Sequence, residues 1–396
     1  MKVLQINTCG NFSTGKIAVD IYKTLTANGH EGKIAFARNM IEEGVPYIKI
    51  GNMLDVYVHG VMTRITDKTG FYSAHATKEL IKEIEMYDPD IIHLHNIHGY
   101  YINIKILFDY LKKSGKPVVW TLHDCWAFTG HCCYFDAVGC DKWKTGCYEC
   151  EQINTYPKSI RDNSKWNYEQ KKKLFTSVDN MTIVTPSKWL AELVKRSFLS
   201  KYPVKVIHNG IDLSVFKPTK GDFVKKHKLE NKKIVLAVAS IWTERKGLKD
   251  MIDLSKLLPD EYKIVVVGKL NGHKLPDNIL HIERTNDQKE LAEIYSAAYV
   301  FVNPTYEDNF PTVNIEALAC GVPVITYNTG GSPEAADEKS GMVTTERSFK
   351  ALVEGIKEIE EKRIKRENCL ERGKQFDKYI KFKEYIGVYS DMSQSI

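Results

Sequence analysis

Short, continuous apolar runs punctuate the chain, with stretches of period near 3.6 between them. KVLQIN, KIAFA, DIIHLHN, PVVWTLHD and MTIVTPS make one series, and KIVLAVAS, YKIVVVG, YVFVNPT and PVITYN a second. A run that is apolar at nearly every position belongs to a strand covered on both faces. Such strands alternating with amphipathic helices predict a parallel, doubly wound sheet. Two series predict two sheets, and so an α/β protein with two Rossmann-like domains. The joint is expected in HNGIDLSVFKPTKGD, residues 208–222, where Asn-Gly, Pro and Gly break the periodicity. Near the end, Phe382, Tyr385, Ile386 and Tyr389 fall at i, i+3, i+4 and i+7, one apolar face of a helix.

Length agrees with this division, since 396 residues exceed one comfortable core. No apolar run approaches the roughly 20 residues that span a bilayer. The opening MKVLQINTCG is too short in apolar residues for a secretory leader, so it reads as a first strand and the protein is expected in the cytoplasm. Charge sharpens the picture. The net +6 resides in residues 1–205, with 27 Lys+Arg against 21 Asp+Glu, while the remainder holds 29 of each. A basic first half suits anionic lipid headgroups, an acidic substrate, or plain solubility. Nucleic acid is not expected, because no dense basic run is interleaved with aromatics.

Ligands of open parallel sheets bind at the carboxyl ends of the strands, and polar motifs gather there. CGNFSTGKIA, residues 9–18, imitates a Walker A loop but has Ile17 where that loop needs a magnesium-binding hydroxyl. TLHD ends a first-half strand with His123 and Asp124. IWTERKGLKDMI carries adjacent cations Arg245 and Lys246 before Gly247 at a helix start, an arrangement that suits a diphosphate. YEDNFPTVNIEALACGVPV holds Asp308 and, eight residues later, Glu316, read as opening a helical segment that ends at Gly321. NTGGSPE follows with Gly330, Gly331 and Glu334. DPD at 88–90 precedes a strand and reads as a turn. His93 and His95 alternate on one strand face and are expected to line the end of the cleft, with His98, Tyr100 and Tyr101 shaping an acceptor pocket beyond.

The ordered set resembles family 4 of the retaining glycosyltransferases, over nearly the whole chain. The shared features are a Gly-rich first loop, an H-D pair, an NGID joint, a K-G pair, an E-x7-E motif followed by A-x-A-x-G-x-P-V, and then GG-x-x-E. The resemblance implies the GT-B fold: an acceptor-side domain 1–205 and a nucleotide-sugar domain 206–375 facing across a cleft, with a C-terminal helix 376–396 crossing back to the first. It implies transfer of a sugar from a nucleoside diphosphate sugar to a saccharide or lipid-linked saccharide in bacterial surface polysaccharide synthesis. No metal or other cofactor is expected in catalysis, and work at the inner membrane face through the basic first domain would fit.

By the same resemblance Arg245 and Lys246 would meet the diphosphate, and Glu316 the ribose. Asp308, with backbone amides around Asn309 and Phe310, would hold the transferred sugar, with His123 beside it and Pro311 among the donor-binding residues. Gly15, Gly247 and the amides at their helix starts would admit phosphate, and Lys16 stands at that loop. Two departures are visible. Ser240 replaces the family's usual Arg six residues before the Lys, so Arg245 is assigned the second cation. Asp308 replaces a Glu, with Glu307 beside it read as a solvated loop carboxylate. Rival enzymes are a nucleotide-sugar 2-epimerase of the same fold and a P-loop-like sugar kinase, and a non-enzymatic zinc-binding module is a third reading.

Residues 125–150 hold six of the nine cysteines. In a reducing compartment, metal ligation is the first expectation. Cys132, Cys140, Cys147 and Cys150 are spaced C-x7-C-x6-C-x2-C, and the closing C-x2-C is typical of a thiolate chelate. Relatives with a similar insertion imply the same four, leaving out Cys125 and Cys133, with His131 as a substitute ligand. Structural zinc is expected, with an iron–sulfur cluster or free thiols as the alternatives.

Overall fold

The structure, a computed structural model, describes residues 1–285 and 287–394. It divides into two compact units, one formed by Met1–His208 with Lys381–Ile396 and the other by Asn209–Ile380.

The first unit is built on seven parallel strands: β1 (Lys2–Cys9), β2 (Glu31–Arg38), β3 (Tyr47–Lys49), β4 (Ile91–Leu94), β5 (Val118–Thr121), β6 (Met181–Thr185) and β7 (Val204–Val206). Their order is β3-β2-β1-β4-β5-β6-β7. The second unit has six: β8 (Lys233–Ile241), β9 (Tyr262–Lys269), β10 (Ile279–Ile282), β11 (Val300–Asn303), β12 (Val324–Tyr327) and β13 (Gly341–Thr344), ordered β10-β9-β8-β11-β12-β13. β4, β5, β6, β11 and β12 are buried at every position, as their unbroken apolar runs require. All the apolar runs became strands. The four strands they did not announce, β3, β7, β10 and β13, are the four sheet edges.

Both sheets reverse direction once, between β1 and β4 in the first and between β8 and β11 in the second. Outside the carboxyl ends of such strand pairs a doubly wound sheet leaves a crevice. The first loop follows β1 there, and the segments 242–247 and 304–311 follow β8 and β11. Helix α1 (Thr14–Ala27) starts at the first loop, and α2 (Met53–Thr66) lies beyond β3.

The helix Lys378–Ser393 buries Phe382, Tyr385, Val388, Tyr389 and Met392 in one cluster with Val3, Ile91, Val119 and Val184 of the first sheet's strands. Each such side chain contributes roughly 1.5–3 kcal/mol on burial. Ile17 packs at the margin of this cluster, a role for an apolar residue where a nucleotide loop would carry a hydroxyl. Within the second unit, Ile211 N–H donates to the Phe376 carbonyl at 2.9 Å and Lys378 N–H to the Ile211 carbonyl at 3.0 Å. An ion pair between Lys378 and Asp212 at 2.9 Å lies beside this bridge.

Candidate active site

In the second unit, Glu244–Lys246 forms one 3-10 turn after β8, and Gly247 (φ 74°) caps the helix Leu248–Leu254. The turn is tied to the loop after β11: Tyr306 N–H donates to the Arg245 carbonyl at 2.8 Å, and the Arg245 guanidinium donates to the Glu307 carbonyl. Lys246 Nζ forms an ion pair with Asp308 Oδ2, both side chains partly open to solvent. The Lys246 ammonium and the Asp308 carboxylate, 62 residues apart, thus share one point at the reversal of the sheet.

Glycine is needed directly beneath. Gly330 has φ 55°, and a Cβ there would lie 1.8 Å from the Asp308 carbonyl oxygen. That same oxygen accepts the Gly331 N–H at 3.2 Å. The GG pair therefore shapes the backbone that presents Asp308. Phe310 is buried against Phe376, ring centroids 5.6 Å apart, so only its main chain could meet a ligand. Pro311 precedes the helix Thr312–Ala319. Glu316 is the fifth residue of that helix and does not open it, because the helix takes its start from Pro311 and Thr312. Tyr295 Oη donates to Glu316 Oε2 at 3.0 Å and fixes the half-buried carboxylate. Glu307 is 5% exposed, and the expectation of a solvated carboxylate fails: the loop turns its side chain inward.

In the first unit, the loop after β1 bends through two residues with left-handed backbone, Phe12 (φ 60°) and Ser13 (φ 45°), before α1 begins. Gly15 is buried, and a Cβ on it would lie 2.7 Å from the Cys9 carbonyl oxygen. Lys16 is exposed.

His93 and His95 do not line an opening. They are 0% and 1% exposed, and burial pushes both imidazoles well below the ordinary histidine range. Each is fully engaged. His93 contacts Thr121 Oγ1 at 2.8 Å and Tyr389 Oη at 2.7 Å. His95 joins Gln5 Oε1 at 2.9 Å to His123 Nε2 at 3.1 Å.

This last chain has one consistent proton arrangement. The Ala18 carbonyl can only accept, so the Gln5 group facing it at 2.8 Å is the NH2 and Oε1 turns to His95. His95 Nε2 therefore donates to Gln5, and its Nδ1 in the neutral ring is a bare acceptor. His123 must then donate from Nε2, which leaves its Nδ1 lone pair unprotonated. Burial lowers His123 to about 4, partly offset by Asp124, so the ring is neutral at pH 7. His123 can thus accept a hydroxyl proton in a hydrogen bond at Nδ1. Gln5 gave no signal in the sequence as a member of the site, and His95, expected as lining at the end of the cleft, meets His123 from a buried position instead.

Asp124 turns away from this chain. It accepts from Trp126 N–H at 2.9 Å and pairs with His98 Nε2 at 2.9 Å, while His98 Nδ1 meets Tyr156 Oη at 3.2 Å. Although desolvation opposes it, the partners led by His98 bring Asp124 below its ordinary value. His98 and Tyr101 are buried, and Tyr101 Oη donates to the Asn96 carbonyl at 2.8 Å, so of the three expected pocket residues Tyr100 alone reaches an open groove.

Cys132, Cys140, Cys147 and Cys150 line one small cavity together with His131. Cys147 Sγ accepts the Gly130 N–H at 3.1 Å. His131 Nδ1 bonds the buried Asp67 carboxylate, and its Nε2 is buried with no hydrogen-bond partner. A carboxylate behind one ring nitrogen and a bare second nitrogen is the preparation of a metal-ligating histidine. Thiols and imidazole fit zinc chemically. Among the described residues, however, the trio with ligand atoms all within 4.8 Å of one another is His98, Asp124 and Cys133, and the four cysteines hold no such trio. Cys133 belongs with Asp124 rather than with the four.

Residues 14–215 match the family model described as Glycosyltransferase Family 4, and residues 219–376 that described as Glycosyl transferases group 1. A putative colanic acid biosynthesis glycosyl transferase, WcaC of Escherichia coli, is 27% identical over 67% of this chain and 66% of its own length. The N,N'-diacetylbacillosaminyl-diphospho-undecaprenol alpha-1,3-N-acetylgalactosaminyltransferase of Campylobacter jejuni is 26% identical over 52% of this chain and 59% of its own. The matches thus cover less than two thirds of these relatives. Sucrose-phosphate synthase from Thermosynechococcus elongatus has the same fold, with TM-score 0.74, 17% identity and full coverage of both chains. HepE of Anabaena in complex with UDP aligns with TM-score 0.70 at 15% identity, over 99% of this chain and 100% of its own.

Proposed function

The chain belongs to glycosyltransferase family 4, and on that premise we propose that it moves a sugar from a nucleoside diphosphate sugar to a saccharide or lipid-linked saccharide, with retained anomeric configuration, in surface polysaccharide synthesis. The observation that carries the reading is the Lys246–Asp308 pair at the reversal of the second sheet, backed by the GG turn. A cation and a carboxylate held at one point can serve the two halves of a sugar nucleotide. Lys246, with Arg245 and the amides around Gly247, stabilises charge that develops on the departing diphosphate. Asp308 takes up sugar hydroxyls with the backbone N–H groups of Asn309 and Phe310, and Pro311, which has no N–H to give, shapes the donor site beside them. Glu316, held by Tyr295, accepts from the ribose. On the first unit, the Gly15 helix start and Lys16 are assigned to phosphate, and His123 offers Nδ1 to a hydroxyl.

The acceptor reading draws on the relatives, whose names include a colanic acid enzyme and a diphospho-undecaprenol-dependent transferase. With a lipid-linked acceptor, the protein works at the inner face of a membrane. Incubation with UDP- and GDP-sugars, following nucleotide release with and without lipid-linked saccharide, tests the proposal. Acceptor-dependent release supports it, and ATP turnover in its place overturns it.

Zinc belongs to the same proposal as a structural element of loop 125–150, drawn from Cys132, Cys140, Cys147 and Cys150 with His131. Its support is the shared cavity and the bare, carboxylate-backed imidazole. Zinc held by these side chains would supply a structural anchor for a loop poor in aliphatic side chains. Protein purified under reducing conditions should carry about one zinc per chain. Cys147→Ser/Cys150→Ser should lose the metal and melt at lower temperature. A metal-free wild type with the same melting point as the variant would refute the assignment.

A further inference from the structure

Helix α2 is inverted with respect to water. Its inward residues are Val56, His59 and Thr63, and His59 is satisfied by Ser73 Oγ at 2.8 Å and the Gly70 N–H at 3.1 Å. Its outward side carries Met53, Leu54, Tyr57, Val58, Val61 and Ile65, between 39% and 69% exposed. A monomer in water rarely leaves so continuous an apolar stripe uncovered.

Beside this stripe runs an open groove of about 670 Å³, lined by Arg38, Arg64, Lys158 and Tyr100 as well as by α2. None of its three cations has a carboxylate partner among the described residues. The Arg38 guanidinium lies 5.4 Å from the Tyr100 ring centroid, and its Nε is buried without a hydrogen-bond acceptor. Ile160, 69% exposed, is tied to Arg64 by a main-chain hydrogen bond of 2.9 Å and extends the apolar surface past the cations.

We infer that this face of the first unit docks on an anionic phospholipid surface, with lipid phosphates in the groove and the outward side of α2 in the acyl boundary. Charge complementarity selects the occupant. A soluble anion would satisfy Arg38, Arg64 and Lys158 but leave the stripe wet, and a neutral apolar partner would bury three unpaired cations. A lipid with a phosphate head and an apolar tail meets both demands along one line. Because no described helix is long and apolar enough to cross a membrane, such contact is interfacial. The inference gives a surface to the lipid-linked acceptor reading and rests on it for its purpose.

Flotation of the full chain with vesicles, in the absence of any sugar nucleotide, tests it. Vesicles of phosphatidylcholine and phosphatidylglycerol at about 7:3 should carry the protein, and pure phosphatidylcholine vesicles should not. Arg64→Gln/Lys158→Gln should lower partitioning at least about tenfold, and Leu54→Ser/Tyr57→Ser should lower it comparably. All four side chains are exposed, and a melting curve confirms that each variant folds. Variants that float like the wild type overturn the proposal. So does equal binding to neutral vesicles, or loss of the apolar variant's effect while millimolar inorganic diphosphate still displaces the protein. Nucleotide release is scored separately. Turnover without flotation defeats the docking surface alone, and flotation without turnover defeats the transferase reading alone.

Discussion

His123 is set by residues far from it in sequence. The Ala18 carbonyl fixes the Gln5 amide, Gln5 fixes His95, and His95 leaves His123 one arrangement, with hydrogen on Nε2. Long-range proton–nitrogen NMR on histidine-labelled protein should show that tautomer near neutral pH. His95→Phe should produce a mixture of tautomers and lower turnover by about 10-fold or more, within the range for a misplaced proton-handling group, while leaving nucleotide affinity unchanged. A wild-type ring protonated on Nδ1 would contradict this arrangement of protons. Acid carries a second signature. His123 in the folded state keeps its proton off until about pH 4, and buried His59 until about pH 3, whereas both take it up near 6.5 when unfolded. Stability present above pH 6.5 is therefore lost as pH falls toward 4, with unfolding midpoints read across that window. None of this was legible beforehand. TLHD marked His123 through a local motif, but Gln5 and His95 meet 90 residues apart, and a single strand's alternation cannot say what covers it.

At the scale of elements, the second sheet's reversal brings together two loops whose motifs were each visible in the sequence. Their separate tasks are testable. Lys246→Ala should cut turnover at least about 100-fold, the usual loss when a charge-stabilising group is removed. Asp308→Ala should chiefly impair use of the sugar, and calorimetry with free nucleoside diphosphate should show near-normal binding. Equal loss of nucleotide affinity in the second variant would assign Asp308 elsewhere. Legibility followed position in the sheet. β4, β5 and β12 are packed on both faces, so physics demands apolar residues throughout and the runs stand out. β3 exposes two of its three residues and β7 buries none fully, which leaves no run to find. Helix starts were harder still. EALACG is a strong helical stretch and on its own puts Glu316 at the head of a helix, yet the helix starts from Pro311 five residues earlier.

At the scale of the whole molecule, the chain leaves the first unit after His208 and returns at Lys381. The helix Lys378–Ser393 is consequently a structural part of a unit encoded mostly before it. Phe382 is 2% exposed in that cluster, and Phe382→Ala should destabilise the first unit by about 3–5 kcal/mol through the cavity it leaves. Calorimetry should show the transition of the first unit displaced, with nucleotide binding to the second retained. Displacement of the nucleotide-stabilised transition in its place would put the helix in the other unit's energetics. The helix was legible from its i, i+3, i+4, i+7 spacing, but its destination came from the family resemblance alone, since periodicity reports an apolar face and says nothing of what meets it.

That return also imposes an order on biosynthesis. The first sheet's last strand leaves the ribosome with residue 206, yet Val3, Ile91, Val119 and Val184 wait for Phe382, Tyr385 and Tyr389 to cover them. Every residue of the second unit is translated in the interval, on the order of ten seconds or more at usual elongation rates. Throughout that time the nascent chain carries a finished sheet with one side unsealed, while the inserted unit can fold to completion ahead of it. The apolar surface that Phe382, Tyr385 and Tyr389 cover in the finished protein is closed only when the final turns of helix emerge.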